Sequence, residues 1–352
     1  MNRAFEKCRL GNEVYENHIV RSATYWPLGN PDGTVSEAQI ALGRELAENH
    51  VGLIITGMVT VSEEGRYSAI QNRLYDDRFI EGHKKLTDAV RQAGGKIVCQ
   101  INHCGAASDC GRRLSPSGIP YPQTRNAPAV EMSADDVKRI TGEFANAAVR
   151  AKESGYDGVQ IHCAHGYLLS QFINPLFNKR TDEYGVDGTG RFRFAKEVLE
   201  AVIAAVGEDY QVSVKINSNI EENDEAYLPD FLMMCKEMKK LGVAFAEISG
   251  CNFTPLGRAG KNNYYLERAA LARREADIPI VLVGGVRSPE DMEKALDSGI
   301  DMISMCRPFL CEPDLVTKLM GGQDKPKCVS CSKCFVLAFK YTPGGPKCIQ
   351  HP

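Results

Sequence analysis

The sequence predicts a closed (β/α)₈ (TIM) barrel over residues 1–321, followed by a short cysteine-rich tail over 322–352. Three observations lead there. Eight short apolar, β-branched runs recur along the chain, each a continuous hydrophobic stretch, as strands of a parallel sheet covered on both faces are. A helix-length amphipathic segment follows each run. No GxGxxG turn follows the first run, which weighs against a doubly wound open sheet, and a count of eight suits a closed ring.

The strands are expected at Ile19–Ala23, Gly52–Thr56, Lys96–Ile101, Gly158–Ile161, Gln211–Ile216, Phe245–Ser249, Pro279–Val283 and Asp301–Met305. The helices are expected at Ser36–Asn49, Phe79–Ala93, Ser133–Ser154, Gly190–Val206, Leu228–Leu241, Leu266–Ala276, Pro289–Ser298 and Glu312–Met320. Ser36, Ser133 and Ser288 stand at N-cap positions, with acidic residues in the turn that follows. Pro289 falls at the first helical position, where a missing N–H costs nothing. Gly94, Gly155, Gly242 and Gly299 close helices just before the next strand. Two connections, Asn102 to Met132 and Gly250 to Tyr265, are too long for plain turns. Both follow strands, so both belong to the face where barrel enzymes hold their chemistry.

Composition narrows the function. With 352 residues, 43% hydrophobic, the chain has room for one large barrel and an appendix. A net charge of -3 gives no general attraction to nucleic acid or anionic membrane. No run of 18 apolar residues occurs, so no spanning helix is expected. Met1 to Leu10 carries Arg3, Glu6, Lys7 and Arg9 and no apolar segment, so a secretory signal is not expected and a cytoplasmic location is. An oligomer is compatible with this composition. Of thirteen cysteines, nine are scattered through the first 311 residues and read as small buried hydrophobes. The other four crowd into the last 25 residues.

The fourth strand runs into His162-Cys163-Ala164-His165-Gly166-Tyr167. Two imidazoles and a phenol just past a strand's C-terminal end suit a pair of neutral donors on a carbonyl oxygen, with Tyr167 as proton donor. A zinc site is the competing reading, but it needs a third ligand that nothing fixes nearby. A merely structural histidine pair is the bland one. Strand seven ends in Val283-Gly284-Gly285-Val286-Arg287 and strand eight in Met305-Cys306-Arg307. Loops at these places commonly seat a phosphate: glycine lets backbone N–H groups approach and arginine forms paired bonds. Plain tight turns and a surface ion pair for Arg307 are the alternative. Lys215 lies between Val214 and Ile216, where an unpartnered cation is costly. It is read as a cation for an anionic group, as a Schiff-base amine, or as half of a buried ion pair with Glu247. Gln100 in an apolar strand invites a hydrogen-bonding ligand or is a satisfied core amide.

The tail reads Cys328-Val329-Ser330-Cys331-Ser332-Lys333-Cys334, then Cys348. Such spacing suits a [4Fe-4S] cluster or structural zinc, with free thiols or disulfides as the alternative. The stretch holding Pro343-Gly344-Gly345-Pro346 is expected to loop back and bring Cys348 to the other three.

Taken together these residues resemble the old yellow enzyme family of FMN-dependent ene-reductases. The likeness spans about residues 5 to 320. It rests on Asn17 to Thr24, Gln100-Ile101-Asn102-His103, His162 to Tyr167, Gln171-Phe172-Ile173-Asn174-Pro175, Asn178 to Gly185 and Val283 to Val286. The resemblance implies FMN as cofactor and NAD(P)H as reductant, with an enone or enoyl compound as substrate. It implies that Ala23, Thr24 and Gly57 line the flavin, that Gln100 bonds its pyrimidine edge, and that Lys215 stands near N1–C2=O. Gly284, Gly285 and Arg307 would hold the phosphate, His162 and His165 the carbonyl or a nicotinamide, and Tyr167 would deliver the proton. Tyr25-Trp26 departs from the small residues frequent in the family there, and Cys306 replaces a common glycine. The tail resembles that of 2,4-dienoyl-CoA reductases, which continue into FAD- and NADPH-binding domains. This chain ends at Pro352, so its electrons are expected from another subunit or directly from NAD(P)H. A flavin and iron–sulfur electron-transfer subunit and a Lys215 aldolase or lyase are the alternative functions.

Overall fold

The computed structural model describes residues 2–25, 27–122, 127–221, 224–334 and 348. Eight parallel strands close on themselves: β1 (Ile19–Arg21), β2 (Leu53–Ile55), β3 (Ile97–Asn102), β4 (Gly158–Cys163), β5 (Gln211–Asn217), β6 (Ala246–Ser249), β7 (Ile280–Val283) and β8 (Met302–Met305). Each pairs with the next, and β8 pairs with β1 to complete the ring. All eight expected strands are therefore present, with ends differing by one or two residues.

The helices are α1 (Glu37–Glu48), α2 (Ile80–Gln92), α3 (Ala134–Glu153), α4 (Gly188–Val206), α5 (Leu228–Lys240), α6 (Leu266–Ala276), α7 (Pro289–Asp297) and α8 (Leu315–Met320). Ser36, Ser133 and Ser288 each accept a bond from the third backbone N–H of their helix, as their residue types suggest. The last helix differs from expectation. It starts at Leu315 rather than Glu312, because Pro313 disfavours a helical conformation at Glu312, and a separate short helix, Arg307–Cys311, precedes it. A short helix Leu168–Ile173 follows β4, and another, Phe253–Arg258, lies on the connection after β6; an N-terminal hairpin of Cys8–Leu10 with Glu13–Tyr15 is additional.

The barrel interior is layered. Leu10 and Tyr15 of the hairpin pack with Val20, Leu53, Ile55, Val98, Phe245, Val281 and Met302, an apolar plug at the N-terminal end. One step along six of the eight strands the inward residues turn polar: Ser22, Gln100, Gln160, Lys215, Glu247 and Ser304, all buried. Strand alternation fixes this switch, since residues two apart share a face. The polar layer is the floor of a cavity at the C-terminal mouth. Trp26 and the Pro343–Pro346 loop lie outside the described residues.

Candidate active site

The floor is one hydrogen-bonded network. Parallel registers set Gln100 beside Gln160, and Lys215 beside both His162 and Glu247. Gln100 Nε2 donates to Gln160 Oε1 at 2.7 Å, and Gln160 Nε2 donates to Glu247 Oε2 at 3.1 Å. Ser22 and Ser304 hydroxyls donate to Glu247 Oε1 at 2.6 and 2.7 Å. Lys215 Nζ donates to Ser22 Oγ at 2.7 Å and lies 3.1 Å from Glu247 Oε2. The ion-pair reading of Lys215 is thus the observed one. A Schiff-base amine needs a free lone pair, and this one is engaged by Ser22 and Glu247.

Above the floor stand His162, His165 and Tyr167. The imidazole centroids are 5.3 Å apart, and the His162 ring is 5.1 Å from the Tyr167 ring. His162 Nδ1 is buried with no hydrogen-bond partner among the described residues, the usual sign of an atom kept for a ligand. The His165 ring Nε2 is 2.9 Å from Ser249 Oγ, which orients it. Its backbone adopts φ +60°, a left-handed conformation uncommon outside glycine, and neighbouring Gly166 follows at φ +77°. That pair of residues makes a sharp exit from β4, so that His165 joins His162, which β4 itself positions, at the cavity. Burial pushes His165 down to about 3, with the Lys215 charge adding to it. Burial, then His165 and Lys215, hold His162 well below the ordinary histidine value. Burial raises the Tyr167 phenol well above its usual 10. Both imidazoles are therefore neutral donors and the phenol keeps its proton at physiological pH. Among the described residues no group of three or more metal-ligating side chains converges, so the zinc reading of the histidine pair finds no support.

At the far end, Gly284 and Gly285 have φ +124° and +80°. A Cβ at Gly285 would come within 2.4 Å of the Tyr264 ring, so only glycine lets the loop pass. Arg307 lines the same cavity, and so does Arg287, which sequence reasoning quoted without giving it a role. Arg287 Nη2 donates to Gly257 O at 2.8 Å while its Nε is buried without a partner among the described residues. Its position directly after a Gly-Gly turn was the available signal. Arg307 Nη1 donates to Ser332 Oγ at 3.0 Å, which lays the start of the tail over this end.

The cavity brings together Ala23, Thr24, Gln100, His162, His165, Tyr167, Lys215, Gly284, Gly285 and Arg307. Gly57 is the exception. It lines an adjoining cavity, and a Cβ there would come within 2.6 Å of Thr24 O, so it serves the close approach of the segments following β1 and β2. Among the expected metal ligands, Cys328 and Cys334 line the main cavity, while Cys348 lies against the thiol of Cys311 with Cys328 near both. Among the described residues these cysteines do not form a cage of three or more ligands.

Acid lability follows from the buried histidines. His83, bonded to Tyr156 Oη at 2.7 Å, is pushed down to about 4 by burial, and His103 to about 3. A histidine depressed in the folded state takes up protons preferentially when unfolded. Its contribution is intact above about 6.5 and is lost as pH falls toward the folded value. Each of these two groups should cost about 2 kcal/mol by pH 5, where the unfolded form holds the proton and the folded form does not. Urea midpoints measured from pH 7.5 to 5 should fall steadily, and a flat profile would contradict the burial described.

The comparisons agree with this geometry. The family model described as NADH:flavin oxidoreductase / NADH oxidase family matches residues 4–325. An NADH oxidase of Thermoanaerobacter brockii is 32% identical over 342 residues, which cover 93% of this chain and 52% of the relative. The chain spans about half the length of the first curated relatives it matches. An NADPH dehydrogenase of Bacillus subtilis (strain 168) is 34% identical over 317 residues, covering 88% of this chain and 92% of the relative. The solved structure of the old yellow enzyme homologue from Zymomonas mobilis superposes with a TM-score of 0.79 at 26% identity, covering 97% of both chains. An eight-stranded barrel, a glycine–arginine loop pair and a His–His–Tyr rim accompany what sequence similarity shows: the chain belongs to the NADH:flavin oxidoreductase / NADH oxidase family.

Proposed function

We propose that this chain is an FMN-dependent oxidoreductase that reduces the C=C bond of an α,β-unsaturated carbonyl compound with NAD(P)H. The observation that carries the reading is one cavity with three distinct ends: a polar floor at Gln100 and Lys215, a glycine–arginine loop pair, and a rim of His162, His165 and Tyr167. The residues fit FMN. Gln100 and Lys215 face its polar edge, and Arg287, Arg307 and the Gly284–Gly285 backbone suit its phosphate. When bound, FMN supplies the hydride chemistry and the protein supplies orientation and electrostatics. His162 and His165, both neutral, grip the substrate carbonyl oxygen and stabilise the charge that develops there. Tyr167 holds a proton at its hydroxyl for the carbon opposite the hydride.

The test is two half-reactions followed anaerobically on the FMN-loaded protein. NADH or NADPH should bleach the flavin, and 2-cyclohexenone should restore its colour. Bleaching without restoration by any enone or enoyl thioester would favour an electron-transfer role. A borohydride-trapped adduct on Lys215 would favour the aldolase.

We further place the barrel at residues 1–321 and treat 322–352 as a separate tail whose Cys328, Cys331, Cys334 and Cys348 bind an iron–sulfur cluster or zinc. The spacing supports this, as does the proximity of Cys328 to Cys348. Metal binding would then need these side chains to rearrange. Protein purified without oxygen should contain iron or zinc, and Cys331→Ser should remove it; equal metal content in the two proteins would refute ligation. A partner subunit as an alternative electron donor to NAD(P)H and a cytoplasmic location complete the proposal.

A further inference from the structure

We propose that Glu247 is a positioning residue for the electrostatics of the flavin site: by neutralising Lys215, partly through Ser22, it weakens the preference of the cavity for reduced over oxidised flavin. This inference rests on the FMN reading above.

Glu247 is 0% exposed, and Lys215 is 3% exposed. A buried ion pair of this kind is often no more stabilising than well-packed apolar residues of the same size. Fold stability alone therefore gives a poor reason for placing it in the middle of a barrel. Its surroundings are specific. Three groups donate to the carboxylate, Ser22 and Ser304 to Oε1 and Gln160 to Oε2, and the Lys215 ammonium lies 3.1 Å from Oε2. Three donors, a neighbouring ammonium and no acceptor suit an anion rather than a carboxylic acid, which would need somewhere to send its proton. Ser22 Oγ accepts from Lys215 and so directs its own hydrogen to Glu247. One ammonium donor of Lys215 is thereby taken by Ser22 while the charge is paired with Glu247. The side chain still lines the cavity beside Gln100, which leaves donor capacity for a ligand.

Charge matters more here than the hydrogen bond. Two-electron reduction adds negative charge to the isoalloxazine, most of it along the N1–C2=O edge. An isolated buried cation at that edge would favour the reduced form strongly. A carboxylate 3.1 Å from the cation cancels much of its field, because beyond a few ångströms the pair acts as a dipole rather than a charge. Glu247 never needs to touch the flavin for this, since β6 holds it in register with Lys215 on β5 while only Lys215 of the two lines the cavity.

The experiment is the midpoint potential of bound FMN, measured by dye equilibration, with the affinity for oxidised FMN measured separately. Glu247→Gln keeps the volume and removes the charge. We expect its preference for reduced over oxidised flavin to rise at least tenfold, about 30 mV upward for a two-electron couple. In a Lys215→Met background the same substitution should shift the potential by less than a third of that. Glu247→Asp retracts the anion and should give the same sign at smaller size, which decides the matter if the Gln variant does not fold. An unchanged or lowered potential in FMN-loaded Glu247→Gln or Glu247→Asp would overturn the proposal. So would an equal upward shift without Lys215. Wild-type protein that binds no FMN would instead overturn the functional reading underneath.

Discussion

Tyr167→Phe should reoxidise with an enone about 10²–10⁴-fold more slowly than wild type, while its reduction by NAD(P)H should keep its rate. The size is that of losing a positioned general acid. The asymmetry arises because only the alkene half-reaction consumes a proton at carbon. Burial raises the phenol well above its usual value, so it stays protonated and a good reservoir through neutral and mildly alkaline pH. The ring also packs against His162 and Tyr67, and Phe preserves that packing, so folding and flavin content should not change. Stopped-flow traces of the two half-reactions check this directly. Equal slowing of both would remove Tyr167 from the proton path.

His165→Ala should lower the rate of the carbonyl-dependent step by about 10²–10³, the cost of one donor aimed at a developing oxyanion. The backbone adds a second expectation. His165 sits at φ +60°, a conformation Asn tolerates better than most residues. His165→Asn keeps a neutral N–H donor and the turn, and should recover much of the lost rate. A purely structural role would let Ala and Asn differ in stability but not in the rate of reoxidation. The pH profile gives the same test by another route. Protonation of His165 waits until about pH 3, so the enone step should be flat across 5 to 8. An inflection near 6.5 from this group would contradict the neutral-donor role.

Much of this architecture was legible because buried parallel strands leave a plain mark: Val212 to Ile216 or Ile280 to Val283 admit few other readings. The rim was legible for a similar reason, since His162, His165 and Tyr167 are close in sequence as well as in space. The floor was only half legible. Gln100 and Lys215 stood out as polar residues in apolar strands, and Glu247 was the nearest carboxylate for Lys215. Ser22, Gln160 and Ser304 gave no signal, because a serine or glutamine at a strand end is ordinary until strand register brings it to a carboxylate. The N-terminal hairpin was missed, although Gly11-Asn12 between Cys8–Leu10 and Glu13–Tyr15 is a recognised hairpin turn. Three-residue strands are simply too short for periodicity to mark. Gly57 lines the adjoining cavity instead, and in sequence a glycine needed for backbone approach and one needed for a ligand look alike. The contact of Cys348 with Cys311 had no local signature either, since one lies on the barrel and the other in the tail.

The account depends most on flavin seated at the barrel mouth, its phosphate between the turns after β7 and β8. The most direct measurement is the absorption spectrum of the purified protein, before and after incubation with FMN and removal of the excess. One FMN per chain is expected, with bands near about 370 and 450 nm that belong to the cofactor itself. Arg307→Ala should hold it more weakly. A protein that stays colourless after incubation with FMN would contradict the account.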